Sequence, residues 1–166
     1  MSVLYAVLGF VVVQRTVELG VAARNTARLR AQGAVEVDAR GYPWFVVLHA
    51  AWLASLLLLV PADAAPSWPL LAVFAVLQLG RLWVIATLGR RWTTRIIMLP
   101  GTPLVEGGPY RYLRHPNYVI VAGEIMVLPL AFGAAVIALV FSAGNLALIA
   151  RRVSIENRAL APYRQA

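Results

Sequence analysis

The stretch Trp68-Pro-Leu-Leu-Ala-Val-Phe-Ala-Val-Leu-Gln-Leu-Gly-Arg-Leu-Trp-Val-Ile-Ala-Thr-Leu88 decides the fold. It has 21 residues and one charge. A helix rises about 1.5 Å per residue and the hydrocarbon core of a bilayer is about 30 Å thick, so about 20 apolar residues cross it. Similar runs lie on both sides. Residues 3–22 and 42–60 precede it, and two shorter runs, 118–132 and 134–150, follow. Only Gly133 parts the last two, so they predict a tight helical hairpin. Pro129 removes a backbone donor near the end of the fourth run. The expected fold is all-α: a single domain over residues 1–166, a polytopic membrane protein with five transmembrane helices.

The composition agrees. AVILMFWYC residues make up 61% of the 166 residues and charged residues 13%, against about 25% charged in soluble domains. Mean hydropathy is +0.75. Disordered, collagen-like and coiled-coil classes are excluded. There is no Cys, which excludes disulfide scaffolds, thiolate metal sites and cysteine nucleophiles. The two His residues are too few for a His-rich metal site, and no metal is expected. A secretory signal peptide is disfavoured because residues 1–13 lack a basic start.

The net charge is +8 and every basic residue is Arg. Arg24, Arg28, Arg30 and Arg40 fall between runs one and two. Arg90, Arg91, Arg95, Arg111 and Arg114 fall between runs three and four. Arg151, Arg152, Arg158 and Arg164 follow run five. The other connections carry no Arg, a ratio of 13 to 0. The positive-inside rule then predicts the N-terminus outside and the C-terminus in the cytoplasm. This pattern explains the basicity without nucleic acid.

Four charges interrupt the apolar runs: Arg15, Glu18, Arg81 and Glu124. Charge at mid-bilayer is costly, so mutual pairing is expected. Arg15 and Glu18 are three apart and share a helix face, as do Gln78 and Arg81. Glu124, a full turn into its run, is a candidate either for function or for structural pairing. His49 sits mid-run with Trp52 three residues on. It is either a general base or a hydrogen-bonding group between helices.

The segment 89–117 is long for a loop in so small a protein, and its Tyr, Arg, Gly and Pro content predicts an ordered structure. Pro116 suits a first helical turn. His115 and the free N–H groups beside it form a polar site at a helix start. Arg152 and Glu156 share one helix face at the cytoplasmic rim, which is either an ordinary surface ion pair or part of a site.

Gly108-Pro-Tyr-Arg-Tyr-Leu-Arg-His-Pro-Asn-Tyr118, then an apolar hairpin, then Arg152-Val-Ser-Ile-Glu156 resembles the isoprenylcysteine carboxyl methyltransferase family of small membrane methyltransferases. The resemblance covers residues 90–163, and the cofactor-binding half is about 90–166. Arg15-Thr-Val-Glu18, Arg24-Asn25, Gly33-Ala34 and Tyr42-Pro43 resemble a bacterial branch linked to O-methylation of alkylpyrones and alkylresorcinols. The resemblance implies S-adenosylmethionine as donor and S-adenosylhomocysteine as product. It implies cofactor contacts at Arg95, Thr102, Pro103, Leu104, Val105, Tyr110, His115, Pro116, Asn117, Tyr118 and Glu156. It implies that Arg152 matches the residue that meets the acceptor's carboxylate. Departures are Asn157, where a second acidic residue is common, Thr102, where His is common, and Glu124, in a stretch that is aromatic in prenylcysteine enzymes.

A carboxylate acceptor needs no base, whereas a phenol or enol needs proton removal, for which Glu124, His49 or a group near the cofactor are candidates. The expected acceptor is a lipophilic small molecule reaching the site from the bilayer, beside membrane lipids. A bacterial inner membrane is the expected location, and a self-contained bundle is compatible with a monomer. Lipid-headgroup N-methylation, a sterol-reductase-like enzyme using NADPH, and a small transporter or non-catalytic subunit are the alternatives.

Overall fold

The computed structural model describes residues 2–161. Arg164 of the basic tail and the end of the resemblance at Tyr163 lie outside them. Five helices follow one another: α1 (Val3–Ala31), α2 (Tyr42–Leu59), α3 (Trp68–Leu88), α4 (Pro116–Ala131) and α5 (Ala135–Leu160). Four of them, α1, α2, α3 and α5, are long and apolar enough to cross a membrane. The fourth of the five expected spans is the short one: α4 has 16 residues and reaches only about 24 Å. Its position explains how so short an apolar helix is stable. It packs between α3 and α5, and Ile120, Val121, Ile125 and Leu128 are all buried.

Local chemistry sets the helix ends. The Ser2 hydroxyl accepts from Tyr5 N at 3.3 Å at the start of α1, an N-cap. Proline stands in the first turn of α2, α3 and α4, where its missing N–H costs nothing. Gly133, at φ 73°, turns the chain between α4 and α5, a conformation that favours glycine. Gly108 has φ 57° and lies against Thr87, so a side chain there would meet both strain and a clash.

Two elements outgrow the expected runs. α1 has 29 residues and α5 has 26, about 44 and 39 Å of helix. α1 therefore carries Arg24, Arg28 and Arg30 beyond the apolar layer, and α5 carries Arg151, Arg152, Glu156 and Arg158. Arg and Ala are strong helix formers, so loss of hydropathy does not end these helices. Asn25 fastens α1 to the turn after α3, donating to Gly89 O at 3.1 Å and Trp92 O at 2.8 Å.

The all-α expectation holds for the body of the fold, to which one short ribbon is added. β1 (Val35–Val37) pairs antiparallel with β2 (Ile96–Met98), with Glu36 opposite Ile97. Four of these six residues are Val or Ile, which fit extended backbone. The ribbon ties the α1–α2 connection to the α3–α4 segment.

Leu4, Leu8, Trp52, Leu56, Phe74, Ile125 and Leu128 form one packed cluster, and Ala22, Val84, Trp92 and Ile120 a second. Phe10, Val13, Leu58, Leu59, Val76, Leu139 and Val140 are exposed. That outward apolar surface suits lipid, which satisfies no backbone polar group and so requires the closed helices seen here.

Candidate functional site

The intramembrane charges form one network. Glu124 Oε1 accepts from Gln78 Nε2 at 2.8 Å and Arg81 Nε at 2.9 Å. Glu124 Oε2 accepts from Arg15 Nη2 at 2.5 Å and from Arg81 Nη2. Glu18 accepts from Gln14 at 2.9 Å, Arg15 at 2.8 Å and Arg81 at 3.3 Å. Arg81 and Glu124 are 2% and 1% exposed, so pairing is what makes their burial tolerable. The expected pairing of Arg15, Glu18, Arg81 and Glu124 is present, joining α1, α3 and α4.

Beside this network a cavity of about 1090 Å³ runs to the segment between α3 and α4. The candidate residues His49, Arg95, Thr102, Pro103, Leu104, Val105, Tyr110, His115, Pro116, Asn117, Tyr118, Arg152 and Glu156 all line it. Glu124 does not. Each of its oxygens already holds two donors, which leaves no lone pair for a substrate proton. That places it in the network that joins α1, α3 and α4.

The mouth is built where α4 begins and α5 ends. Tyr118 Oη donates to Glu156 Oε2 at 2.6 Å and accepts from Arg152 Nε at 2.9 Å. Arg152 Nη2 donates to Thr94 O at 2.7 Å. Its guanidinium lies 5.1 Å from the Phe45 ring centre and 5.7 Å from that of Tyr118, a cation–π setting. His115 stacks on Tyr118 at 5.4 Å. Its Nδ1 lies 3.6 Å from Glu156 Oε2, and its Nε2 is 3.3 Å from Asn157 Oδ1. The α4 N-cap thus lies against the acidic end of α5.

The opposite wall comes from the ribbon and the turns after it. Arg95 Nη1 donates to Glu36 Oε1 at 2.6 Å and lies 4.3 Å above the Tyr42 ring. Glu36 also pairs with Arg30. Arg91 Nη1 donates to Pro103 O at 2.8 Å, and Thr102 Oγ1 donates to Leu99 O at 2.7 Å. Burial, followed by the charge of Glu156, pushes the Tyr110 hydroxyl up to about 12. It stays a neutral donor at physiological pH. Asn117 Oδ1 is buried without a partner among the described residues.

His49 Nδ1 lies 2.8 Å from Phe45 O, one turn back on its own helix, so the expected interhelical bond is replaced by an intrahelical one. Sequence reading missed Phe45, Thr94 and Glu36. Nothing in their local sequence marks them, because each acts across elements.

Residues 70–162, from α3 through the mouth to the end of α5, match the isoprenylcysteine carboxyl methyltransferase (ICMT) family. The chain belongs to this family. Membership makes it an integral membrane methyltransferase. An ICMT-family chain of this length has a full-length relative in Bacillus subtilis (strain 168), the uncharacterized protein YpbQ. That protein is 35% identical over 163 residues, 96% of this chain and 97% of YpbQ. No solved structure matches the chain.

Proposed function

We propose that this enzyme moves a methyl group from S-adenosylmethionine to an oxygen of a lipophilic isoprenoid or alkyl-chain acceptor. The observation that carries the reading is the continuity of the cavity. One space joins a polar mouth, with Arg152, Tyr118, Glu156 and His115, to Leu19, Val46 and Leu53 within the helices. Leu19 on α1 and Val46 on α2 line this space and are exposed, which supports entry of the acceptor from lipid between these helices. Single-ligand pockets span about 300–1,000 Å³, and this cavity has room for a donor and the head of an acceptor.

The residues fit the donor. Glu156 Oε1 has no partner among the described residues and offers a carboxylate to the donor's cationic end. Asn117 Oδ1 is an orphaned acceptor suited to an amino group. Thr102, Pro103, Leu104 and Val105 supply an apolar and backbone wall, and Tyr110 and His115 supply ring edges. Pro116 and Tyr118 close the α4 end, and Arg95 offers a cation for the donor's carboxylate. S-adenosylmethionine, when bound, supplies an electrophilic methyl carbon. Arg152 orients the acceptor's oxygen through its planar fork, while the closed helices exclude water. The single domain lies with its N-terminus outside and its mouth in the cytoplasm of a bacterial inner membrane, where the donor is dissolved.

Calorimetry on the purified chain tests the reading. S-adenosylmethionine and S-adenosylhomocysteine should bind and NADPH should not. His115→Ala and Tyr110→Phe should weaken both. NADPH binding alone would favour a reductase, and unchanged affinity in both variants would remove this pocket.

A further inference from the structure

We infer that the Arg-rich end of the seam between α1 and α3 binds the phosphate of an anionic phospholipid, whose acyl chains lie along the outer surfaces of the two helices. This site is separate from the cavity and does not depend on the methyl-transfer reading.

α1 and α3 run parallel and in step. Arg81 Nη1 donates to Glu18 at 3.3 Å, Ala22 and Val84 share one packed cluster, and Asn25 donates to Gly89 O and Trp92 O. The two helices therefore reach the Arg-rich side together. On α1, Val13, Val17 and Val21 recur every four residues and are exposed, and Arg24 and Arg28 continue the stripe. At about 100° per residue, Val17, Val21, Arg24 and Arg28 fall within about 100° of Asn25, on the side away from Leu19, which lines the cavity. On α3, Leu79, Leu82 and Ala86 are exposed and lead to Arg90 in the turn that follows. They point at least about 100° away from Gly80, which faces Ile120 of α4. Each helix thus carries an apolar stripe that ends in arginine, and the two stripes flank one seam.

Arg24, Arg28 and Arg90 are exposed, and their side chains make no ion pair or hydrogen bond among the described residues. Asn25 adjoins Arg24 and Gly89 adjoins Arg90, so the bond between them brings these cations to one level. The acids of this side are committed elsewhere. Glu36 pairs with Arg30 and Arg95, and Asp38 with Arg151. Glu156 accepts from Tyr118, and Glu106 lines the cavity. Packing therefore holds three like charges together without an anion of the chain to balance them. They repel one another, and a phosphodiester among them would receive charge-assisted bonds from arginine's planar fork.

The apolar stripes select a lipid over a soluble anion. Val13 to Arg24 covers about 16 Å, about half of a 30 Å hydrocarbon core, which is the depth of one leaflet. Basic pockets between membrane helices bind anionic headgroups through this combination of cations and apolar flanks. A bound phosphate would also brace α1 against α3 beside the Asn25 bonds.

Native mass spectrometry tests the site, on the full chain released from detergent with equimolar phosphatidylglycerol and phosphatidylcholine of identical chains. The wild type should retain phosphatidylglycerol about tenfold or more over phosphatidylcholine. Arg24→Gln/Arg28→Gln should lose most of that preference. Arg40→Gln/Arg158→Gln, which removes as much charge elsewhere on the same side, should keep it. The thermal midpoint of the wild type should rise with phosphatidylglycerol and not with glycerol 3-phosphate, which has the phosphate without the chains. Equal retention of the two lipids by the wild type would overturn the inference, and that comparison needs no variant to fold. Equal loss in the two double variants would also overturn it, leaving only a diffuse attraction to the basic side. A midpoint raised as much by glycerol 3-phosphate would mark a soluble-phosphate site and exclude the lipid.

Discussion

Arg152 and Glu156 lie one turn apart on α5 without forming an ion pair: the Tyr118 hydroxyl stands between them, accepting from Arg152 at 2.9 Å and donating to Glu156 at 2.6 Å. An i, i+4 pair on a free helix would close on itself. Here α4 brings a third group across, and each charge keeps one face for another partner.

Tyr118→Phe should therefore couple the two residues wrongly rather than merely loosen the mouth. Direct Arg152–Glu156 pairing would withdraw Glu156 from the donor and Arg152 from the acceptor. The apparent KM for S-adenosylmethionine should rise and turnover should fall. Arg152→Ala should leave donor affinity nearly intact and cut turnover, and Arg152→Lys should recover little because Lys lacks the planar fork. Steady-state kinetics beside calorimetry separates these effects. Full turnover in Arg152→Ala would remove its acceptor role.

Glu124→Ala should act on stability. It strips Arg81 of its bidentate partner and Arg15 of a second carboxylate. Breaking a buried pair from one side costs about 3–5 kcal/mol. The thermal midpoint in detergent should fall steeply while the folded fraction keeps its donor affinity, because Glu124 is off the cavity wall. A midpoint equal to wild type would contradict the network's role.

Asp38 ties the α1–α2 connection to α5. Arg151 donates to it at 2.6 and 2.8 Å, and this hydrogen bonding holds its carboxyl below the ordinary value of 3.8. A depressed folded-state value stabilises the fold above the ordinary value, and the contribution is lost as pH falls through the folded value. Asp38→Asn should lower the midpoint slightly at neutral pH. The difference should close in acid, below the ordinary carboxylate range. A difference independent of pH would exclude the ion pair as its cause.

Gly107 reports orientation. No atom lies within 4 Å of a side chain built there, and its φ is −82°, so cysteine fits. The wild type has no cysteine. A membrane-impermeant maleimide should label Gly107→Cys in inside-out vesicles and not in intact cells. The reverse result would invert the topology and remove the donor's cytoplasmic access.

Hydropathy and charge spacing are properties of neighbouring residues, so the sequence alone determined the apolar helices, the Arg-rich side, the Gly133 turn and the Pro116 helix start. Motif spacing also determined the family and brought the residues from Arg95 to Tyr118 and Arg152 to Glu156 to one region. The length of α1 and α5 past their apolar runs was not legible, because a helix can outlast its hydropathy. Only the tertiary structure decided the partners. Arg15 and Glu124 are 109 positions apart, Arg95 and Glu36 are 59 apart, and the ribbon pairs segments from separate connections. It alone separated Glu124 from His49: both are ionisable groups within apolar runs, yet packing saturates one with arginines and leaves the other with a free nitrogen at the cavity. A polar atom's chemistry depends on which donors and acceptors surround it in space, and that neighbourhood forms only when the helices pack.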